Sequence, residues 1–266
     1  MLVQPLRLIG LPYDASSSYL RGAAEAPTAI RSALGSGHWN TWSELNQDVA
    51  ASGAMSDAGD VPLSTGAGAR EEIERAIAGV LAAGCRPLAL GGDHSVTYPI
   101  LRAVSRTHHS LTILHLDAHP DLYEEFEGDR FSHACPFARI MEEGLARRLV
   151  QVGIRTLNSH QRRQAQRYGL EVMEMRSWEA GARPAVDGAV YLSVDLDVLD
   201  PAFAPGVSHR EPGGLSVREV LSLVQQMGGG LVGADLVEYN PRQDIGGVTA
   251  VVAAKIVKEI AGRMLT

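Results

Sequence analysis

Residues 111–121 read LTILHLDAHPD, an apolar run followed by Asp117, His119 and Asp121 at alternate positions. The run predicts a strand buried in a parallel sheet, because such strands are apolar along their whole length. Alternate residues of an extended chain point to the same side, so the three polar side chains can lie together where the strand ends. Open α/β sheets carry their sites at these ends. The segment therefore predicts both a fold class and the position of a site.

A second segment, AVYLSVDLD at residues 189–197, repeats this arrangement with Asp195 and Asp197 after another apolar run. The two segments together place four aspartates at strand ends. A single aspartate at such a position is ordinary, as a helix cap or in a turn. Four buried carboxylates repel one another, however, and buried charge requires a partner of opposite sign. The sequence therefore predicts that cations hold this cluster together.

Similar apolar runs recur along the chain and predict strands over 6–11, 87–90, 111–116, 149–154, 170–175, 189–195 and 231–237. Helical patterns fill most of the gaps, over 70–83, 136–143, 160–168, 217–227 and 248–264, with a further helix beginning near Pro27. Alternation of strands and helices predicts a three-layer α/β/α sandwich around a mainly parallel sheet. Because no linker or low-complexity break interrupts the chain, we expect a single domain, 1–266.

The composition argues against several classes of protein. A net charge of -7 disfavours a nucleic-acid partner, because phosphates require an excess of Lys and Arg, and it favours a small cationic ligand. The N-terminus lacks a basic region followed by an apolar export segment, and no later segment is apolar enough to span a membrane. We therefore expect a cytoplasmic protein without a membrane partner, in which Cys85 and Cys135 are reduced thiols.

His94 joins the aspartates as a candidate ligand. It lies in GGDHS, residues 91–95, directly after the predicted strand 87–90, where paired glycines allow a sharp turn. Carboxylates and imidazoles without thiolates favour manganese over a structural zinc, although ligand type leaves nickel and cobalt open. Two divalent ions balance four aspartates better than one ion does, so we expect two Mn²⁺. The candidate metal ligands are His94, Asp117, His119, Asp121, Asp195 and Asp197.

At this point the chain resembles the ureohydrolase family, which comprises arginases, agmatinases, formimidoylglutamases and related guanidino-acid hydrolases. The resemblance spans nearly the whole chain and is carried by GGDHS (91–95), DAHPD (117–121) and SVDLDVLDPAFAPG (193–206). It implies an arginase-like fold, a dinuclear manganese centre and a homo-oligomer, usually a trimer or hexamer. It also implies two bridging aspartates and one His–Asp pair for each ion: Asp117 with Asp195, His94 with Asp121, and His119 with Asp197.

The resemblance further implies the chemistry. Two manganese ions lower the pKa of a shared water and so supply hydroxide near neutral pH. Glu238, in GADLVEYNP, would bind the guanidinium through paired hydrogen bonds, the alternative being a surface glutamate. His133, in FSHACPF, would shuttle protons, the alternative being a structural histidine. Asp121 would hold the hydroxide and pass its proton to the departing amine. Hydrolysis would then release urea and an amine, or formamide from a formimino substrate.

Substrate choice depends on two loops. Loop 122–132, LYEEFEGDRFS, stands where arginases carry a polar loop that binds the α-carboxylate. Its acidic residues would repel a carboxylate, which favours agmatine, giving putrescine and urea, unless the loop is simply a solvated one. His209 and Arg210, which replace the family's usual TGTP, would instead suit a carboxylate-bearing tail. The acidic residues are Glu124, Glu125, Glu127 and Asp129.

Several alternatives to an agmatinase-like enzyme stay open at this stage. Arginase, guanidino-acid hydrolase and formimidoylglutamase activities use the same metal centre. A family member that binds a guanidino ligand without catalysis is a different class, which the intact ligand set disfavours. A deacetylase-like relative with one zinc ion would leave several carboxylates unused. We therefore expect a manganese-dependent amidinohydrolase that acts on a small cationic guanidino compound.

Overall fold

Parallel strands form the centre of the protein. The computed structural model describes residues 4–37, 39–179 and 181–266. Its strands are β1 (Leu6–Gly10), β2 (Met55–Asp60), β3 (Arg86–Leu90), β4 (Thr112–Leu116), β5 (Arg148–Ile154), β6 (Glu171–Glu174), β7 (Ala189–Asp195) and β8 (Gly230–Val237). Within the described residues they form one sheet in the order β2-β1-β3-β8-β7-β4-β5-β6, and each neighbouring pair is parallel. The predicted parallel sheet is confirmed.

Helices cover both faces of this sheet. They are α1 (Ala26–Leu34), α2 (Ala67–Ala82), α3 (Thr97–Val104), α4 (Pro136–Glu142), α5 (Ser159–Tyr168), α6 (Val217–Gln226) and α7 (Val248–Leu265). Ile30 of α1, Val220 of α6 and Ile256 of α7 belong to one hydrophobic core. Ile73 of α2 and Phe137 of α4 belong to the other, together with residues of α3 and α5. Because alternate strand residues face opposite sides, the two cores make the predicted α/β/α sandwich.

Two elements differ from the sequence prediction. The pattern does not predict β2, because its sequence MSDAGD is polar; this strand lies at the edge of the sheet and is mostly exposed. Nor does it predict α3, whose sequence TYPILRAV lacks a polar face because the helix is buried on nearly every side. Pro99 falls in the first turn of α3, where a missing N–H breaks no helical hydrogen bond.

Four neighbouring strands bring the candidate ligands to one edge of the sheet. In the order β3, β8, β7 and β4, their carboxyl ends lead into His94, Glu238, Asp195 and Asp117. After β3 the backbone passes close to the loop that follows β1, because a β-carbon on Gly92 would come within 1.8 Å of the Tyr13 carbonyl oxygen. Gly92, the second glycine of GGDHS, is therefore required for this close approach.

All strands of the described residues belong to the one sheet and its two helical layers. This arrangement accords with the interpretation of residues 1–266 as a single domain, which stays a prediction. Among the described residues, no helix combines the length and the apolar composition that crossing a membrane requires.

Candidate metal centre

Three carboxylates surround one ring nitrogen of His94. Its Nδ1 lies 3.1 Å from Asp121 Oδ2, 3.2 Å from Asp117 Oδ2 and 3.3 Å from Asp195 Oδ2. The ring is fully buried, and Nδ1 has no hydrogen-bond partner among the described residues. A buried polar atom without a partner is rare in proteins and calls for an explanation. These four residues are called the first cluster below.

Hydrogen bonds on the other side of the His94 ring show that its Nε2 carries a proton. Ser193 Oγ donates to Asp235 Oδ1 over 2.6 Å, so it accepts from His94 Nε2–H, which lies 3.0 Å away. Burial lowers the pKa of His94, but the three carboxylates raise it well above its usual range, so without a metal ion a second proton is held at Nδ1. A cation in place of that proton would meet the Nδ1 lone pair of a neutral ring and the three carboxylate oxygens. These groups repel one another unless a cation lies between them. The donor set of the first cluster therefore fits a metal ion.

His119 and Asp197 form a second cluster with Asp117. His119 Nδ1 lies 2.9 Å from Asp197 Oδ2 and 3.5 Å from Asp117 Oδ1. Asp117 thus turns one carboxylate oxygen towards each cluster, which is the arrangement of a bridging ligand. Asp195 Oδ1 accepts instead from the backbone N–H of Asp197 over 2.8 Å. Bridging by Asp195 stays a prediction.

The carboxylates of the two clusters destabilise one another when charged. Burial raises the pKa of Asp195 well above its usual range, and the neighbouring Asp197 and Asp117 raise it further. Burial also raises the pKa of Asp197 to about 6, although His119 acts in the opposite direction. Two divalent cations would reverse this effect by supplying the missing positive charge.

His115 lies within the apolar run before Asp117 and hydrogen-bonds the carboxylate of that aspartate. Gln151 Nε2 donates to His115 Nδ1 over 3.0 Å, so His115 Nε2–H donates to Asp117 Oδ2 over 2.7 Å. Neither His115 nor Ser193, which hydrogen-bonds His94, is among the predicted site residues. Each lies two residues before the first aspartate of its motif, Asp117 or Asp195, and so on the same side of the strand. That spacing is the signal that could have identified them.

Glu238 and His133 lie together beside the first cluster. Glu238 Oε1 accepts from His133 Nδ1 over 2.8 Å and from the backbone N–H of His94 over 2.9 Å. Burial alone would lower the pKa of His133, but the charge and hydrogen bond of Glu238 raise it to about 9. At neutral pH the two side chains therefore form an imidazolium–carboxylate pair.

A cavity of about 180 Å³ opens above both clusters. A water molecule in the liquid takes about 30 Å³, so this cavity accepts a small molecule rather than a polymer. Its floor contains residues of both clusters, namely His119, Asp121, Asp195 and Asp197. Its walls include Ser18, Tyr123, Phe126, His133, Thr156, Gln161, His209 and Glu238. The structure thus brings Glu238 and His133 to the same space as the candidate metal ligands.

The two residues predicted to contact the substrate's tail are placed differently. His209 lines the cavity, and its ring centroid lies 5.2 Å from that of His133. Arg210 does not line it, because its guanidinium donates to the carbonyl oxygens of Pro205 and Gln243. The structure therefore brings His209 to the site and leaves Arg210 outside it.

The acidic loop does not act as predicted. Of its residues, Tyr123 and Phe126 line the cavity, whereas the carboxylates do not. Glu124, for example, pairs with Arg167 over 2.8 Å at the surface. Tyr123 is held by Asn158, whose Nδ2 donates to the tyrosine hydroxyl over 2.6 Å. The loop carboxylates therefore do not line the cavity, and the contact that would have favoured agmatine is not present there.

Comparison with known proteins places the chain among the arginases and their relatives. The sequence model of the arginase family matches residues 4–262. Mitochondrial arginase 1 of Arabidopsis thaliana is 45% identical over 97% of this chain and 80% of its own length. The solved arginase of Medicago truncatula has a TM-score of 0.93 at 43% identity, over 98% of this chain and 88% of that one. The proclavaminate amidinohydrolase of Streptomyces clavuligerus has a TM-score of 0.84 at 35% identity, over 98% and 92%.

These comparisons change two predictions. The plant relatives at 44–45% identity are arginases, so a closer resemblance to agmatinases is not supported. The prediction of a cytoplasmic protein is wrong on this comparison, because the similar arginases of Arabidopsis thaliana and Medicago truncatula are mitochondrial. That prediction depended on the missing export signal alone, which does not address other compartments.

Proposed function

Because this chain belongs to the arginase family, we propose that it hydrolyses L-arginine to urea and L-ornithine. The protein is a manganese-dependent hydrolase of the amidinohydrolase type. One observation carries the proposal: two His–Asp clusters that share Asp117 lie under a cavity lined by Glu238 and His133. Sites for two cations thus lie next to side chains that can bind a guanidinium and transfer protons.

The two clusters would hold the pair of manganese ions. His94 Nδ1 and the three carboxylates around it suit one ion, and His119 with Asp197 and Asp117 suits the other. Oxygen and imidazole ligands without sulfur are the set that Mn²⁺ accepts. When bound, the ions supply a nucleophile by lowering the pKa of water. His115 and Ser193 would keep the ligands in orientation, since each hydrogen-bonds a ligand from outside.

Glu238 would bind the guanidinium group. Its Oε1 is engaged by His133 and by the backbone of His94, while Oε2 accepts no hydrogen bond from the described residues. A guanidinium presents paired N–H donors that match a carboxylate. Because the bond from His94 fixes the carboxylate beside the first cluster, a guanidinium bound there has its carbon near the floor of the cavity.

His133 and Asp121 would move protons during hydrolysis. The departing amine leaves readily only when it is protonated, and a positioned acid can supply that proton. Asp121 lies on the floor of the cavity, and His133 lies in its wall with a proton to donate at neutral pH. The two groups therefore both border the space that a guanidinium would occupy.

Arginine is favoured over agmatine by the residues around the mouth of the cavity. The walls away from Glu238 present the neutral side-chain amide of Gln161 and the ring of His209. Burial lowers the pKa of His209, and the positive charge of His133 lowers it further, so this imidazole is neutral. Neutral N–H donors of this kind can hydrogen-bond an α-carboxylate, and the carboxylates of loop 122–132 do not line the cavity.

Urea release from a panel of substrates tests the proposal. Purified protein with added Mn²⁺ would be assayed with arginine, agmatine, guanidinobutyrate and guanidinopropionate. We expect kcat/KM for arginine to exceed that for each other compound by about tenfold or more. His209→Ala should lower the value for arginine more than the value for agmatine. Agmatine as the best substrate would refute the arginine assignment, and urea from none of the four would refute the proposed function.

A further inference from the structure

The loop between β1 and α1 reaches the site through a single hydroxyl group. Ser18 Oγ lies 2.8 Å from His133 Nε2, on the side of the ring opposite Glu238. Both nitrogens of His133 are thus engaged, one by a buried carboxylate and the other by the hydroxyl of a surface loop. The reaction proposed above gives no role to this serine.

Several contacts fix the loop at the distance that Ser18 requires. The backbone N–H of His133 donates to the Ser16 carbonyl over 3.1 Å. The Ser16 N–H donates in turn to Oδ2 of Asp93, which is fully buried next to His94. The loop is therefore hydrogen-bonded both to the segment after β3 and to the segment that contains His133. These bonds fix the position of Ser18 next to the His133 ring.

Exposure to solvent increases along this line of groups. Glu238 is 4% exposed and His133 is 8% exposed, whereas Ser18 is half-buried and its neighbour Tyr19 is 63% exposed. Ser18 is therefore the outermost hydrogen-bonding group of a chain that begins beside the first cluster. Hydrolysis of a guanidinium takes up no net proton, but the attacking water gives up a proton and the departing amine takes one up at different steps. A link from His133 to solvent lets the histidine lose or regain a proton between those steps.

From these contacts we propose that Ser18 is a positioning residue for His133 and the outer step of its proton path to solvent. The inference rests on the proposed hydrolase function. The Nε2–H bond of His133 breaks as a new O–H bond forms on Ser18, while the original hydroxyl proton of Ser18 passes to a water or a buffer base. The reverse sequence returns a proton to His133. The serine ends each transfer with one proton, as it began.

Substitution of Ser18 tests this path by steady-state kinetics. Ser18→Ala should lower kcat about fivefold to tenfold, while KM and the manganese content stay within about twofold of the unaltered protein. Ser18→Thr, which keeps a hydroxyl, should restore most of the lost kcat. Ser17→Ala is the matched control in the same loop, because its hydroxyl donates to Asp93 Oδ2 over 3.4 Å and not to the histidine. It removes a contact that holds the loop but leaves the proton path in place. Added imidazole should rescue Ser18→Ala by accepting protons directly from the site.

Three outcomes of these assays would overturn the inference: an unchanged kcat in Ser18→Ala, an effect on KM alone, or a threonine variant as slow as the alanine variant. A readout without turnover separates this failure from failure of the proposed function. In the metal-free protein, NMR should show the His133 Nε2–H proton downfield in the unaltered protein and in Ser18→Thr. It should move upfield in Ser18→Ala, and an unmoved resonance would contradict the contact whatever the substrate is.

Discussion

Two carboxylates of the cavity, Asp121 and Glu238, lie in left-handed backbone, with φ of 48° and 63°. This region costs non-glycine residues of order 1 kcal/mol or more, and it persists where surrounding contacts fix the chain. At Glu238 those contacts are the bonds from His133 and from the His94 backbone. The strained backbone therefore occurs where two carboxylates point into the cavity. It serves the geometry of the site and lowers the stability of the fold.

The charge of His133 provides a prediction at the same scale. Its pKa of about 9 depends on Glu238, which acts against the lowering effect of burial. Because this pKa is raised in the folded state, the pair stabilises the protein fully below about pH 6.5, the unfolded value, and the contribution is lost as the pH rises through about 9. NMR titration of the metal-free protein should find the His133 midpoint near 9 and a much lower one in Glu238→Gln. Equal midpoints would contradict the pair.

Asp195 gives a second residue-scale prediction. Burial and the neighbouring aspartates raise its pKa, so its charge destabilises the metal-free protein at neutral pH. Asp195→Asn should therefore raise the melting temperature without metal. It should also remove most of the stabilisation by manganese, which reaches about 3–4 kcal/mol when the ion is present at 100 to 1,000 times its Kd. The exposed Asp187→Asn is the control. An undiminished manganese effect in Asp195→Asn would contradict its place in the first cluster.

Much of the site could be predicted residue by residue, because alternate spacing after an apolar run fixes which side chains share a strand end. That spacing is enough for Asp117, His119 and Asp195. It is not enough for Arg210, whose direction depends on the carbonyl oxygens of Pro205, nearby in the chain, and of Gln243, which is distant in sequence. Nor does it show that Glu124 turns to Arg167 at the surface, because a loop's side-chain directions are set by partners that local sequence does not contain.

At the scale of elements, helix α7 illustrates how tertiary contacts override local preference. Gly262 lies inside this helix, where glycine is about 1 kcal/mol less favourable than alanine. A β-carbon there would meet Ser43 Oγ at 2.3 Å and Ser43 Cβ at 2.5 Å. The serine belongs to a loop whose Glu44 N–H donates to buried Glu259 of α7 over 3.0 Å. The glycine is thus required by close packing of the loop on the helix.

Paired glycine substitutions test this packing. Gly262→Ala should lower the free energy of unfolding by about 1–3 kcal/mol, because the serine cannot move without breaking the loop contacts. Gly79→Ala in α2 is the matched control, since no atom lies within 4 Å of its added β-carbon. It should raise stability by up to about 1 kcal/mol. Urea denaturation measures both, and the same sign for the two variants would contradict the packing argument.

The elements that could be predicted are those whose burial produces a recognisable pattern of apolar residues in the sequence. Strands β4 and β7 are covered on both faces, so they are mostly apolar, with His115 and Ser193 as polar residues within them. Edge strand β2 is held by hydrogen bonds to β1 and carries polar side chains, so no pattern marks it. Helix α3 has the opposite property, because complete burial removes the polar face that marks a helix.

At the scale of the whole molecule, an exposed apolar strip indicates association. Ile245 just before α7, and Val248 and Val251 in its first turn, are 66%, 50% and 47% exposed. Contiguous apolar groups on a surface are typical of contacts between proteins. We expect the protein to form a homo-oligomer, a trimer or hexamer of the 28.4 kDa chain.

Light scattering coupled to size exclusion measures this assembly. A double substitution, Val248→Glu with Val251→Glu, should reduce the mass of the particle towards that of one chain, because buried charge disfavours the interface. Gln166→Glu on exposed α5 adds a charge elsewhere and should leave the mass unchanged. A monomeric unaltered protein would contradict the expected oligomer, and an unreduced mass for the double variant would exclude this strip from the interface.

Anomalous X-ray diffraction from crystals grown with Mn²⁺ tests the central claim most directly, because it locates the ions without reference to activity. We expect two manganese peaks per chain, one beside His94 and one beside His119, with Asp117 between them. A single peak, or peaks away from these two clusters, would contradict it.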